Sequence, residues 1–368
     1  MVEHKLDTSS WDRRVARLSL CVLFLLAGCA ASPDAGDGQP FYKFTDRTGE
    51  TDYRLGAVAE KLRQAERIEY SSGPAAGVLV VGTAQRMLPE GHEREHDYLQ
   101  VIKAGMWARE GKGRDPGKAR ALLDELETRT RLRKDWRLYA DIELVNVVLA
   151  LGDGETARAV KAGLHAILHL HSVEAYLPKV DTACDLAYRL LSLDAVAARE
   201  FAENAYETAI RLEDDTALIN SHLALASVDL EVGGDAESHF LEAYEAAYRL
   251  NDMGWRNVVI SQAVNAWYVR DEYELVQKWG DRLREHRPGS LGELPRLEDS
   301  GLWEGDYITL LVQYAFAADK LEAGNARARE AAGLVVVTID ELPEADREQW
   351  SELAEKLRSG LLKDAAEK

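Results

Sequence analysis

The chain has 368 residues, of which 46% are hydrophobic and 30% are charged, and its formal net charge at pH 7 is −19. This hydrophobic fraction excludes a wholly disordered chain. The negative charge argues against nucleic acid as a partner, because phosphate binding needs a basic face. Three cysteines cannot supply a disulfide framework.

Residues 1–28 have the features of an export signal. Arg13, Arg14 and Arg17 form a positive cluster, and the apolar run 18–26 follows it. A run of this length is too short for a permanent membrane-spanning helix, which needs about 20 residues. Its length and its flanks are typical of the apolar region of a secretory signal peptide.

The apolar run ends in Leu26-Ala27-Gly28-Cys29. This tetrapeptide resembles the lipobox of bacterial lipoproteins, in which small residues precede the cysteine that receives lipid. The resemblance implies cleavage between Gly28 and Cys29, and acyl chains such as palmitate on Cys29, which anchor a protein firmly when there are two or more. No aspartate follows Cys29, so the resemblance implies the outer membrane, facing the periplasm. The alternatives are an ordinary signal peptide with a chance cysteine, or an uncleaved anchor.

A tether follows the cysteine. Residues 29–48 are mostly small and polar and contain proline and glycine. A flexible stretch of about 19 residues has a root-mean-square reach of roughly 25 Å. We expect it to hold the folded body away from the lipid head groups.

Residues 49–342 show helical periodicity that is interrupted at regular intervals by turn-forming residues. Asp153, Asp194 and Asp235 lie in turn signals and are separated by 41 residues each time, and Asp271 follows 36 residues later. This spacing predicts one helix-turn-helix per unit, and such pairs must stack to bury their apolar faces. The segments 75–82 and 331–337 are rich in β-branched residues but are predicted to be buried helix, not strand.

Two segments repeat at the level of single residues. The segment 205–214 aligns with 243–252 at an offset of 38, with seven of ten positions identical. In these segments small residues let two helices approach closely, and an aromatic side chain fills the gap beside them. This arrangement resembles the second helix of a tetratricopeptide repeat. The resemblance implies five repeat-core residues: Ala202, Tyr206, Ala209, Tyr244 and Ala247. On this basis alanine at either tyrosine would cost about 3–5 kcal/mol.

The fold class predicted from these patterns is all-α. We expect an α-α solenoid of about six or seven tetratricopeptide-like helix pairs, closed by a C-terminal capping helix over residues 343–368. A coiled coil is disfavoured, because turns interrupt the pattern every 15 to 20 residues.

One interval between turn signals is longer than the others. Asn325 follows Asp271 by 54 residues, and the excess is a Gly- and Pro-containing insertion over residues 287–303. We expect deletion of residues 289–302 to leave the helices folded but to weaken partner binding. Tryptophan often dominates binding hot spots, so three tryptophans are candidate partner contacts: Trp255, Trp267 and Trp303. Trp303 lies in the insertion and is the least easily buried of the three. Core packing of one repeat is the alternative for the first two.

His92-Glu93-Arg94-Glu95-His96 matches the H-E-x-x-H pattern of zinc metalloproteases. The match lacks the usual context, because charged residues fill the two central positions and the motif follows a turn. We therefore interpret it as a solvated helix start, and a zinc hydrolase acting through His92, Glu93 and His96 is a remote alternative.

Two further groups of residues are candidates for metal binding or thiol chemistry. His165 and His169 lie one helical turn apart and could chelate a metal, whereas His171 lies on another face. Cys184 lies among small and apolar residues, and a small buried hydrophobe is favoured over a reactive thiol. No catalytic, metal or cofactor residue is predicted, and the chain is not expected to be an enzyme.

The leading hypothesis is a lipid-anchored scaffold for protein interactions, or an assembly factor, in the bacterial cell envelope. Its partners would be other envelope proteins, and its anchor would bind the membrane. The alternative is a helical lipoprotein that binds a small ligand as the accessory of a transporter. A closed apolar cavity between repeats would favour the alternative, and an open polar groove would favour the scaffold.

Overall fold

The computed structural model describes residues 53–109, 111, 113–284, 293–322 and 325–362. The signal peptide, the cleavage site at Gly28 and Cys29, and the tether lie outside the described residues. The described residues divide after Leu212 into an N-terminal and a C-terminal compact unit. Both units consist of helices and turns, with no strand among the residues described.

The N-terminal unit has eight α-helices within its described residues. They are α1 (Tyr53–Ser72), α2 (Pro74–Met87), α3 (Glu93–Ala108), α4 (Pro116–Arg133), α5 (Trp136–Gly152), α6 (Thr156–Ser172), α7 (Tyr176–Leu190) and α8 (Ala195–Leu212). They pack as consecutive pairs, α1 with α2, α3 with α4, α5 with α6, and α7 with α8.

The C-terminal unit continues with the same kind of pair. Its described helices are α9 (Asp215–Val232), α10 (Ala236–Arg249), α11 (Met253–Tyr268), α12 (Tyr273–Asp281), α13 (Leu297–Ser300), α14 (Glu304–Leu321), α15 (Ala326–Glu341), α16 (Glu344–Arg347) and α17 (Ser351–Ser359). The pairs are α9 with α10, α11 with α12, and α14 with α15. The two units together contain seven pairs in the described residues, so the predicted all-α class of six or seven helix pairs is confirmed.

Two details of the secondary-structure prediction also hold. The β-branched segments 75–82 and 331–337 lie inside α2 and α15, as helix. None of the helices in the described part of the chain is both long enough and apolar enough to cross a membrane.

Aspartates cap the helices that open three of the pairs, α5–α6, α9–α10 and α11–α12. The carboxylates of Asp135, Asp214 and Asp252 each accept a hydrogen bond from the backbone N–H three residues ahead. Such an N-cap stabilises a helix by about 1 kcal/mol. The residue before each of these caps has a left-handed φ of 53° to 56°: Lys134, Glu213 and Asn251. These three turns between pairs are therefore formed by the same local conformation.

The predicted C-terminal cap is present as a continuous helical segment over residues 344–359. It is divided into α16, a 3₁₀ turn over Glu348–Trp350, and α17. Leu353 and Leu357 of α17 are buried, and α17 packs against α15. The described part of this segment therefore covers the last pair, but through one short helix, and residues 363–368 lie outside the description.

The expectation that residues 289–302 can be removed without harm to the helices does not hold. Leu294 is 4% exposed and belongs to the hydrophobic core of the C-terminal unit. Ser300 is buried, and its carbonyl accepts a hydrogen bond of 2.6 Å from Nδ2 of buried Asn257. Deletion would expose apolar surface and leave the Asn257 amide without this acceptor, which costs free energy of folding.

Close helix packing in the C-terminal unit depends on a glycine. A Cβ at Gly280 of α12 would overlap the ring of Tyr314 in α14, which is fully buried. We expect Gly280→Ala to lower the free energy of unfolding by about 1–3 kcal/mol, because a buried ring must move. Urea denaturation measures the change. Gly333→Ala in α15 is the control, since no atom lies within 4 Å of a Cβ there. An unchanged midpoint for Gly280→Ala would contradict the close contact.

Candidate functional site

An open pocket lies in the N-terminal unit, where the end of α2, the start of α3 and the end of α4 meet. Its volume is about 340 Å³, within the size range of binding sites for small groups. Seven of the ten lining residues have polar or charged side chains, and the lining residues are Gln85, Leu88, Pro89, Gly91, His92, Glu93, His96, Asp97, Arg129 and Arg133. The pocket is open to solvent and is not an enclosed cavity.

Asp97 organises the charges of this pocket. Its side chain is almost fully buried. One carboxylate oxygen forms an ion pair with Nη2 of Arg129 at 3.1 Å, and the other accepts a hydrogen bond from Nη2 of Arg133. Both arginine side chains remain partly exposed. A buried carboxylate thus holds two guanidinium groups side by side at the pocket, and the remaining donors of these groups suit a carbonyl or carboxylate acceptor.

Two nitrogens of the lining residues support the same chemistry. Nε2 of Gln85 and Nε of Arg129 are buried and have no hydrogen-bond acceptor among the described atoms. Leaving a donor unsatisfied costs about 1–3 kcal/mol. Both nitrogens are enclosed by protein atoms, so the donors open to an incoming oxygen acceptor are the partly exposed guanidinium groups of Arg129 and Arg133.

The H-E-x-x-H motif lies at this pocket but is not arranged as a metal centre. His92 is the N-cap of α3. Its Nδ1 lies 3.6 Å from Oε2 of Glu95, and Nδ1 of His96 lies 3.9 Å from Oδ1 of Asp97. Arg94 points its guanidinium at Asp135. In the described part of the chain, no three His, Cys, Asp or Glu side chains are placed to hold a metal ion, so the zinc alternative gains no support.

The other histidine group is engaged in packing. His169 stacks on Trp136 with ring centroids 5.4 Å apart and an interplanar angle of 6°, and it meets Tyr139 edge-on at 4.7 Å. Burial lowers the pKa of His169. Nδ1 of His165 lies 3.3 Å from Oε1 of Glu143, and His171 contacts Tyr176 edge-on. These contacts connect α5, α6 and α7 within the N-terminal unit.

Cys184 is a buried thiol, and Asp141 is a partly buried residue whose Oδ2 is enclosed. Burial raises the pKa of the Cys184 thiol, which keeps it protonated, as the interpretation as a small buried hydrophobe expects. Burial also raises the pKa of Asp141 to about 7, although Arg137 opposes the shift. Neither residue lines the pocket.

Four of the five proposed repeat-core residues lie in the core. Ala202, Ala209 and Ala247 are fully buried and Tyr244 is 6% exposed. Tyr206 is only partly buried. It belongs to α8, the last helix of its unit, whereas Tyr244 lies inside a unit and contacts the next pair. Equivalent positions in the repeat therefore differ in burial.

The three candidate tryptophans separate into two kinds. Trp255 and Trp267 are partly buried and pack against the core of the C-terminal unit. Trp303 is 66% exposed, as the sequence led us to expect. It precedes α14 as the N-cap residue.

A buried polar group escaped the sequence analysis. His222 of α9 is 7% exposed, and its Nδ1 lies 3.2 Å from Nδ1 of His239 in α10. Nε2 of His239 lies 3.6 Å from Oδ2 of buried Asp229. Asp229 and His222 are seven residues apart, two helical turns, so a shared face could have been noticed, but the pairing with His239 depends on how α9 and α10 pack.

Comparisons with known proteins add no assignment. No protein-family model matches the chain, and no curated protein matches it significantly. A proposal of function therefore depends on the residues of this chain.

Proposed function

We propose that the protein is a lipid-anchored scaffold for protein interactions in the bacterial cell envelope, held at the outer membrane by Cys29 with its helical body in the periplasm. The anchor is inferred from Leu26-Ala27-Gly28-Cys29 after the apolar run. Stacked helix pairs offer extended surfaces on which a partner can lie.

The observation that supports the scaffold best is the character of the pocket at α2, α3 and α4. A transporter accessory that binds a small ligand would need an enclosed and mainly apolar cavity. This pocket is open to solvent, and seven of its ten lining residues have polar or charged side chains. Its arginine donors suit the carbonyl and carboxylate oxygens of a protein segment.

Photocrosslinking in cells tests the scaffold. A photoreactive amino acid at position 96, beside the pocket, is expected to give a discrete adduct with an envelope protein. The same amino acid at position 161 is the control, because Lys161 is exposed on α6 and is not part of the pocket lining. Equal adducts from both positions, or none from position 96, would contradict the scaffold.

The anchor has its own test. We expect Cys29→Ser to abolish incorporation of labelled palmitate and to release the protein as a soluble form or leave it as an uncleaved precursor, because the acceptor sulfur is gone. Cys184→Ser is the matched control and should incorporate label normally, since Cys184 is buried. Undiminished labelling of Cys29→Ser would remove the lipoprotein hypothesis without affecting the proposed pocket.

A further inference from the structure

Trp303 is an exposed aromatic side chain that the helix packing does not use. Its exposed fraction is 66%, whereas the other tryptophans of the described chain are buried or partly buried. Exposing a large apolar ring to water has a cost in free energy. Tryptophan is among the side chains most enriched in binding hot spots.

The backbone that carries Trp303 is held rigidly. Nδ2 of Asn257 donates to the carbonyl of Ser300, and Oγ of Ser300 accepts from the backbone N–H of Leu302 at 3.1 Å. Gly301 has a φ of +65°, and a Cβ there would lie 2.8 Å from Cα of Gly254. Leu302 packs against the core. Because the segment is ordered in advance, a partner that binds the ring loses little conformational entropy in ordering it.

Acidic residues are frequent at the sequence positions on both sides of Trp303. Residues 293–306 contain five acidic side chains and one basic side chain, Arg296, so the segment carries a charge of −4 at pH 7. Glu298 and Glu304 are exposed, and no described lysine, arginine or histidine forms an ion pair with either. An anionic partner would be repelled by this segment and by the net charge of −19.

We propose that Trp303, with Glu298 and Glu304, forms a docking surface for a lysine- or arginine-rich segment of a partner protein. The inference rests on the proposed scaffold function and names the chemistry of its partner. An ammonium or guanidinium group over the indole face gains about 0.5–2 kcal/mol by cation–π attraction. The exposed carboxylates of Glu298 and Glu304 attract a basic segment to this surface and add charge complementarity.

Binding of a defined peptide tests this surface. Fluorescence anisotropy would follow a fluorescein-labelled peptide of alternating lysine and glycine, titrated with the full-length lipidated protein in a nonionic detergent. We expect Trp303→Ala to raise Kd about ten-fold, as loss of a hot-spot side chain does. Glu298→Gln combined with Glu304→Gln is expected to raise Kd about three-fold to ten-fold at low salt, and less at high salt.

Matched variants make the test specific. Glu242→Gln combined with Glu245→Gln removes the same charge from exposed positions of α10 in the same unit and should leave Kd unchanged. Thermal melting confirms that each variant is folded. Equal losses from both double variants would show non-specific charge attraction, and unchanged binding by Trp303→Ala would remove the ring from the site; either result overturns the inference.

A lipid surface is a different occupant and would give a different result. Trp303-dependent binding to vesicles of anionic phospholipid, without binding to the lysine peptide, would overturn the proposal. A failure of the proposed docking surface can be distinguished from a failure of the proposed scaffold function. Adducts from position 96 in cells would uphold the scaffold when the peptide does not bind, whereas their absence would count against the scaffold itself.

Discussion

Tyr244→Ala is expected to lower the free energy of unfolding by about 3–5 kcal/mol, the range for truncation of a buried aromatic side chain. The Tyr244 ring is 6% exposed and lies edge-on to Trp279, with centroids 6.1 Å apart and an interplanar angle of 83°. The guanidinium carbon of Arg282 lies 4.7 Å from its centroid. Alanine would remove both contacts and leave a cavity beside the fully buried Trp279.

Tyr206→Ala is the matched comparison, because Tyr206 occupies the equivalent repeat position and differs in burial. We now expect it to cost about 1–2 kcal/mol, since a partly exposed ring has less apolar surface to lose. Urea denaturation, followed by circular dichroism and by tryptophan fluorescence, measures both values. Tyr244→Phe keeps the ring and should retain most of the stability. Equal effects of the two alanine variants would show that the difference in burial is not real.

The signals that predicted the fold are local. Helical periodicity and the recurring aspartates lie within single helices and turns. Two of these aspartates, Asp194 and Asp235, accept a hydrogen bond from the backbone N–H three residues ahead, and Asp153 ends α5 as its C-cap. The pattern therefore predicted the helix pairs and the helical state of the β-branched segments. Position in the repeat also predicted the burial of Ala202, Ala209 and Ala247, because small residues are needed where helices cross closely.

The features that the sequence did not predict depend on contacts between residues that are distant in the chain. Tyr244 is buried because Trp279, 35 residues later, packs on its ring, and Tyr206 has no equivalent aromatic at position 241, which is leucine. The glycines and prolines of the 287–303 insertion predict that residues 289–302 are dispensable for folding, but the amide of Asn257, 43 residues before Ser300, donates to the Ser300 carbonyl and joins this segment to the core.

The pocket was missed for the same reason. The H-E-x-x-H pattern drew attention to His92 and His96, yet the group that organises the site is Asp97 with Arg129 and Arg133. Arg133 lies 36 residues after Asp97. Charged residues are common on exposed helix faces, so only the packing of α3 on α4 distinguishes these three from the others.

Acidification is expected to destabilise the C-terminal unit through His222. Burial, then the charges of His239 and Arg249, lower the pKa of His222 to about 4, whereas an unfolded chain has a value near 6.5. The folded state therefore resists a proton that the unfolded state accepts. The stability contributed by the neutral ring is complete above pH 6.5 and is lost as the pH falls toward 4, by up to about 3 kcal/mol for such a shift.

The difference between matched variants isolates this contribution from the other titrating groups. The free energy of unfolding, measured by urea denaturation between pH 7.5 and pH 4.5, should fall more steeply for the wild type than for His222→Asn, which cannot take up the proton. His171→Asn is the control, because His171 is exposed, and its curve should run parallel to that of the wild type. Parallel curves for the wild type and His222→Asn would contradict this expectation. The Nδ1 atoms of His222 and His239 lie 3.2 Å apart, and Nε2 of His239 lies 3.6 Å from Oδ2 of Asp229. Because a proton on His222 would place a charge in the buried contact between α9 and α10, acid is expected to loosen this helix pair.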